Sequence, residues 1–195
     1  MKKINEIFYS LQGEGRNTGR PAVFVRFSGC NLMCNFCDTK HQDGQQYSDE
    51  EILAEIEKYP ATFVVFTGGE PTLQLDTALC NLLHRHGYEI AIETNGTRPV
   101  PKGVDFITCS PKFEFCKNAA PMLYRADELK VVFLGNKYSD MSLYKGFNAD
   151  YYYLQPCDTG NAKQNKEIVK EAVQYCLDHP HWRISLQTQK IINVR

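Results

Sequence analysis

Thr62-Phe63-Val64-Val65-Phe66 runs straight into Thr67-Gly68-Gly69-Glu70-Pro71, and the fold is read from this stretch outward. An unbroken apolar, β-branched and aromatic run of this length, closed by a glycine pair, reads as a buried strand. The next apolar residues, Leu75, Leu79, Leu82 and Leu83, change to a spacing of three and four. That is one face of a helix, and Gly87 stands where such a helix stops. Tyr88 to Glu93 is extended again and ends at Thr94-Asn95-Gly96.

The alternation continues on both sides. Upstream, Ile4 to Tyr9 leads into a glycine-rich loop from Gln12 to Gly19, and Pro21 to Phe27 is a strand-length apolar run. Ser48-Asp49-Glu50-Glu51 is a capping box, opening a helix with Ile52, Leu53 and Ile56 on one face. Downstream, Val104 to Cys109 reads as a strand ending at Ser110-Pro111-Lys112, and Glu128–Leu134 and Tyr151–Gln155 are extended. A helix over Lys166 to Leu177 carries Ile168, Val169, Ala172, Val173 and Cys176 as its inner stripe, and Trp182 to Gln187 is a last strand. Strand and helix in repeated succession predict a parallel α/β sheet. A closed (β/α)₈ barrel takes about 250 residues. The 195 residues here therefore predict an open, partial barrel of this type, one domain spanning 1–195, with its chemistry at the C-terminal strand ends.

Charge narrows the partners. The 22 basic and 23 acidic residues leave a net of −1, with no run of Lys or Arg. A direct grip on nucleic acid is not expected, and a small-molecule substrate is. Met1 to Glu6 has two lysines with no apolar stretch behind them, so neither a secretory signal nor a membrane is expected and a cytoplasmic location is.

Of the eight cysteines, Cys30, Cys34 and Cys37 share one loop at C-x3-C-x2-C spacing. Three thiolates on a four-iron cube leave one iron open for chemistry, whereas most electron-transfer clusters have four. The alternative is zinc, with His41 as a fourth ligand; zinc sites, however, usually come as two separated ligand pairs, and no second pair follows. Cys109, Cys116 and Cys157 fit no second cluster motif, and Cys80 and Cys176 read as small buried hydrophobes. His84 and His86 read as a solvated helix end.

The cysteine loop, with Phe36 before its third cysteine, resembles the signature of radical S-adenosylmethionine (SAM) enzymes, and Thr67-Gly68-Gly69-Glu70-Pro71 resembles their GGEP motif. Phe8 to Gly15, Gly19 to Arg26, Cys37-Asp38-Thr39, Glu93 to Gly96, Cys109 to Lys112, Leu154-Gln155-Pro156 and Leu186-Gln187-Thr188 resemble, in order, the 7-carboxy-7-deazaguanine synthase family. That resemblance implies a homodimeric lyase of the queuosine pathway. It would contract 6-carboxy-5,6,7,8-tetrahydropterin with loss of ammonia, through a 5′-deoxyadenosyl radical, using a [4Fe-4S] cluster, SAM, Mg²⁺ and a flavodoxin or ferredoxin as electron donor. The superfamily motifs alone also fit a glycyl-radical activating enzyme.

By the same resemblance the cluster is held by Cys30, Cys34 and Cys37, and Mg²⁺ by Thr39. SAM falls to Phe36, Cys37, Asp38, Gly69, Ser110, Pro111, Lys112, Gln155, Pro156, Cys157 and Asp158; the pterin falls to Leu11, Gln12, Gly13, Arg26, Thr67 and Arg195. Read without it, Arg26 is a solvated strand-end residue and Thr39 either a turn residue or an oxygen ligand. One position departs: the family's Gln-Thr-His-Lys reads Gln187-Thr188-Gln189-Lys190, and an amide can hydrogen-bond but cannot carry a charge.

Overall fold

The structure, a computed structural model, describes all residues except Asp38, Lys40 and Arg195. Its strands are β1 (Lys2–Leu11), β2 (Pro21–Phe27), β3 (Gln45–Tyr47), β4 (Phe63–Gly68), β5 (Glu89–Thr94), β6 (Phe106–Cys109), β7 (Arg125–Phe133), β8 (Asn148–Pro156) and β9 (Trp182–Ile184). They form one sheet in the order β3-β1-β2-β4-β5-β6-β7-β8-β9. From β2 to β9 every pairing is parallel. The sheet is open, with β3 and β9 as its edges among the described residues.

Two antiparallel strands depart from the all-parallel expectation. β1 runs antiparallel to β2, and β3 antiparallel to β1. A parallel return needs a crossover of a dozen residues or more. The loop between β1 and β2 is too short for one, and Gln12 and Arg20 close it with a 2.8 Å bond from the Gln12 N–H to the Arg20 carbonyl.

The helices start where their caps are. Ser48 and Glu51 form the expected reciprocal capping box on α1 (Asp49–Ile56). Asp76 caps α2 (Thr77–Arg85), and Asn161 caps α3 (Ala162–Asp178). Ile52, Ile56, Leu79 and Leu83 pack on Val25, Phe27, Val64, Phe66, Ile90 and Ile92 to make the main core. Each such side chain contributes about 1.5–3 kcal/mol by leaving water. The inner stripe of α3 is Ile168 and Ala172, with Tyr175 and Cys176 partly buried behind them. Val169 and Val173 are instead exposed, because a residue one step along a helix lies about 100° round and clears the sheet. The last strand is also shorter than expected: β9 stops at Ile184, and Thr188–Ile191 forms a short helix, α4.

Candidate active site

Alternation along the strands builds the site. On β2 and β4 the register sets Arg26 beside Thr67, and Glu93 ends the same face on β5. Farther across, Thr108 lies beside Glu128, and Lys130 and Val132 follow Glu128 at two-residue steps on β7. Below them, Phe8, Phe24, Val65 and Ala91 form an apolar floor on the same face, joined by Phe63. Of these, Phe8, Phe24, Arg26, Thr67, Glu93, Lys130 and Val132 line one cavity, apolar at its base and polar at the C-terminal strand ends. The cavity measures about 680 Å³, within the range of small-molecule sites.

The cysteine loop forms one wall. Gly29 starts it with φ +87° and donates its N–H to the His41 carbonyl at 2.7 Å. Its own carbonyl accepts from the Glu70 N–H at 2.9 Å. Asn31 is clamped between Asn95 and Thr97 at 3.0 and 2.8 Å. The sulfurs of Cys30, Cys34 and Cys37 belong to residues lining the cavity. Burial pushes the Cys30 thiol up and the Cys34 thiol to about 12, so the free protein holds them protonated and a metal must displace those protons.

Among the described residues no three His, Cys, Asp or Glu side chains converge on a single ion. Thiolates around one zinc would lie roughly 4 Å apart, given Zn–S bonds of about 2.3 Å. A four-iron cube takes one thiolate on each of three separate irons and does not require three sulfurs to meet at one ion. The tetrahedral zinc alternative, with His41, lacks that convergence.

Glu70 of the glycine motif is a brace. It is fully buried and accepts from the Thr72 N–H (3.0 Å), Thr72 Oγ1 (2.6 Å), Thr94 Oγ1 (2.7 Å) and the Asn95 N–H (2.8 Å). The ends of β4 and β5 are thereby locked together. Gly69 lies so close to the cysteine loop that a Cβ would sit 1.9 Å from the Gly29 carbonyl oxygen. Backbone must therefore meet backbone there.

The sequence-derived residues mostly converge. Leu11, Gln12, Gly13, Arg26 and Thr67 line the cavity, as do Phe36, Thr39, Gly69, Ser110 and Lys112 and the run from Gln155 to Asp158. Pro111 is buried but does not line it, and Asp38 and Arg195 lie outside the described residues. Arg26 is not a solvated strand end: its Nε bonds Glu6 at 2.8 Å, and one terminal nitrogen reaches Thr39 Oγ1 at 3.4 Å. The Lys112 ammonium bonds the Ser110 carbonyl and hydroxyl at 2.5 and 2.6 Å, and burial pushes its pKa down. Asp158 is held by bonds from the Gly160 N–H in its own loop, Asn165 of α3 and Lys190 of α4, which bring its carboxyl to about 2.

Sequence reasoning missed a charged cluster. Lys130 lies 2.6 Å from Glu14 and 3.3 Å from Glu93. Gln187 and Gln189 both donate to the other oxygen of Glu14, at 3.0 and 3.1 Å. Burial is the largest influence and raises the Glu14 carboxyl, but the Lys130 charge and the hydrogen bonds from Lys130, Gln187 and Gln189 together outweigh it and leave Glu14 at about 2. Glu128 accepts from the Arg16 N–H at 2.6 Å, and burial raises it. The missed signal was a lysine inside the apolar run Leu129 to Phe133, since lysine is almost never buried without a partner. Cys116, which fits no second cluster motif in the sequence, lies with its sulfur 3.5 Å from that of Cys34, a contact the spacing did not announce.

An open parallel sheet with a cysteine-triplet wall and a polar cavity at its strand ends is the build of a radical SAM enzyme, and the Radical SAM superfamily signature matches residues 24–108. The chain is 51% identical, over the whole length of both proteins, to 7-carboxy-7-deazaguanine synthase of Bacteroides thetaiotaomicron. It is 43% identical to the enzyme of that name from Bordetella pertussis, over 98% of each chain. The crystal structure of QueE from Escherichia coli superposes with a TM-score of 0.78 at 30% identity, over 95% of this chain and 93% of that one. The chain belongs to the 7-carboxy-7-deazaguanine synthase family. The family is one of radical SAM enzymes, which use a [4Fe-4S] cluster and SAM, and a small-molecule substrate and a reductant follow from that class. No helix is long and apolar enough to cross a membrane among the described residues.

Proposed function

We propose that this chain converts 6-carboxy-5,6,7,8-tetrahydropterin to 7-carboxy-7-deazaguanine with loss of ammonia, supplying deazapurines such as the queuosine precursor. The observation that carries this reading is the polarity of one cavity face. Arg26 stands on β2 and Glu93 on β5, two strand spacings away, or about 10 Å. A bicycle with a carboxylate at one end and an aminopyrimidinone at the other spans that distance. Guanidinium pairs with the carboxylate, and Glu93 and Glu14 accept from the ring N–H groups.

Cys30, Cys34 and Cys37 would hold the cluster. Phe36, Gly69, Ser110, Lys112 and the Gln155–Asp158 segment would hold SAM, with Lys112 supplying a cation for its carboxylate. Bound there, the cluster and SAM supply a 5′-deoxyadenosyl radical able to take the hydrogen from C6 of the pterin. The protein's part is placement. Gln12 and Thr67 orient Glu93 through bonds of 3.1 and 3.2 Å, and Phe8 and Phe24 form a dry floor beneath the ring. Glu6 engages only the Nε of Arg26, which leaves the terminal nitrogens of the guanidinium to take the substrate carboxylate. Thr39, next to Arg26, offers a hard oxygen suited to Mg²⁺. A flavodoxin or ferredoxin as electron donor, a cytoplasmic location and a single 1–195 domain complete the reading. Val169, Val173 and Leu177, exposed in a row on α3, support a homodimer.

Anaerobic incubation of the reconstituted protein with SAM, reductant, Mg²⁺ and 6-carboxytetrahydropterin tests this. The expected result is deazaguanine product with SAM regenerated. SAM consumed only in the presence of a partner polypeptide, with no pterin turnover, would instead identify a glycyl-radical activating enzyme.

A further inference from the structure

The buried charge on β7 lines the same cavity but is not among the residues assigned above to the cluster or SAM. We propose that Lys130 is a positioning residue whose ammonium ties Glu14 to Glu93 and keeps both as ionised acceptors, so that the cavity selects a ligand edge made of N–H donors. The ligand part rests on the pterin reading above; the electrostatic part does not.

Lys130 is 5% exposed in the middle of β7, flanked by the core residues Leu129 and Val131. An apolar side chain there would pack without the cost of burying a charge. What the lysine provides is the junction. Its Nζ reaches one oxygen of Glu14 at 2.6 Å, from the loop after β1, and one of Glu93 at 3.3 Å, at the end of β5. Every other bond to these carboxylates also comes from a donor: Gln187 and Gln189 to Glu14, Gln12 and Thr67 to Glu93. Such a set fits carboxylates and would oppose a proton on either one.

The remaining titratable groups facing the cluster do not substitute for Lys130. Glu128, two residues along β7, adds negative charge, and Tyr153 lies opposite Lys130 on β8. Lys112, beyond β6, is bonded to Ser110, and the Arg16 guanidinium lies outward over Tyr151. Without the ammonium, Glu14, Glu93 and Glu128 would crowd one low-dielectric wall, and two of them would share a proton. An acceptor would then become a donor and meet the ligand's N–H edge.

Lys130→Met and Lys130→Arg test this on the anaerobic holoenzyme, with 7-carboxy-7-deazaguanine as the calorimetric probe from pH 5.5 to 8.5. Wild type and Lys130→Arg are expected to bind with a flat pH profile. Lys130→Met is expected to lose affinity by about tenfold per pH unit below a new apparent pKa. A flat Lys130→Met profile, or the same limb in Lys130→Arg, overturns the inference. Carbon-13 NMR of the glutamate carboxyls in ligand-free protein separates it from the substrate reading. A new carboxyl titration between pH 6 and 8 in Lys130→Met alone supports the electrostatic role even if the probe binds no variant, in which case the substrate reading fails. Should Lys130→Met not fold, wild type still decides: Glu14 titrating above pH 6 refutes the inference, and Glu14 titrating below it supports it.

Discussion

Gly69→Ala turns the closest backbone contact of the site into a quantitative test. The new Cβ would lie 1.9 Å from the Gly29 oxygen, 2.4 Å from the Gly29 carbonyl carbon and 3.0 Å from the Cys30 nitrogen. Real Cβ contacts do not fall below 3.0 Å, so the strand end and the cysteine loop must part by about 1 Å. Two bonds hold them where they are: the Gly69 N–H to the Phe27 carbonyl at 3.1 Å, and the Glu70 N–H to the Gly29 carbonyl at 2.9 Å. Losing both, with their partners partly buried, costs about 2–4 kcal/mol. At an m-value of about 3 kcal/mol/M, the urea midpoint of the cluster-free protein falls by about 1 M. Iron incorporation on anaerobic reconstitution should fall in parallel, because the displaced residues start the ligand loop. Gly146→Ala is the control: nothing lies within 4 Å of its added Cβ, and its stability should stay within about 0.5 kcal/mol of wild type. A Gly69→Ala protein with an unmoved midpoint and full iron content would refute the close-approach argument.

Cys30→Ala should give a colourless protein after reconstitution, whereas Thr39→Ala should keep its iron and its absorbance near 400 nm (roughly, as such clusters do); a colourless Thr39→Ala would contradict its placement beside Arg26 and outside the cluster. Glu14 also sets a pH dependence. Its folded pKa, about 2, lies below the ordinary 4.5, so its ionisation stabilises the fold fully above about pH 4.5, and that contribution is lost as pH falls towards 2. The contribution is about 3 kcal/mol, and the gap in urea midpoint between wild type and Glu14→Gln should close over that window. Gln189→His should introduce an imidazole titration, visible by proton NMR, with a pKa above about 6.5 because Glu14 stabilises its charged form. An imidazole at or below that value would show that residue 189 does not face Glu14 in solution.

Much of this was legible where one local rule acts alone. Ser48 and Glu51 read as a capping box because the pattern is satisfied within one turn. Val64 to Phe66 read as a strand because both its faces are buried. The glycine motif fell at a strand end because its backbone must approach the cysteine loop. Long-range information was less accessible. β1 runs antiparallel because of a short closed loop rather than its own composition, and β3, Gln45–Tyr47, is exposed and has no apolar pattern to announce it. Val169 and Val173 looked like core because apolar residues on a helix do not reveal which side the sheet lies on. Glu14 and Lys130 are 116 residues apart, so only the fold brings their charges together.

The geometry also accounts for the glutamine at position 189. Its Nε2 gives Glu14 a hydrogen bond of 3.1 Å, as a histidine ring N–H could, and its side chain packs so tightly on Gly13 that a Cβ there would lie 1.8 Å from Oε1. Thr188 fixes the same contact by donating its N–H and hydroxyl to the Gly13 carbonyl at 3.0 and 2.7 Å. Charge is the difference between amide and imidazole, and Lys130 already supplies a cation to Glu14 at 2.6 Å. That one ammonium is shared with Glu93, so an imidazolium would still be attracted here, whereas the amide keeps the hydrogen bond to Glu14 without adding a group that titrates near neutrality. With His replaced, the binding face carries Arg26 at one end and the Glu14–Lys130–Glu93 cluster at the other, and among the described residues no histidine lines the cavity. Substrate recognition in this chain is therefore expected to vary less between pH 6 and 8 than in relatives that keep the histidine.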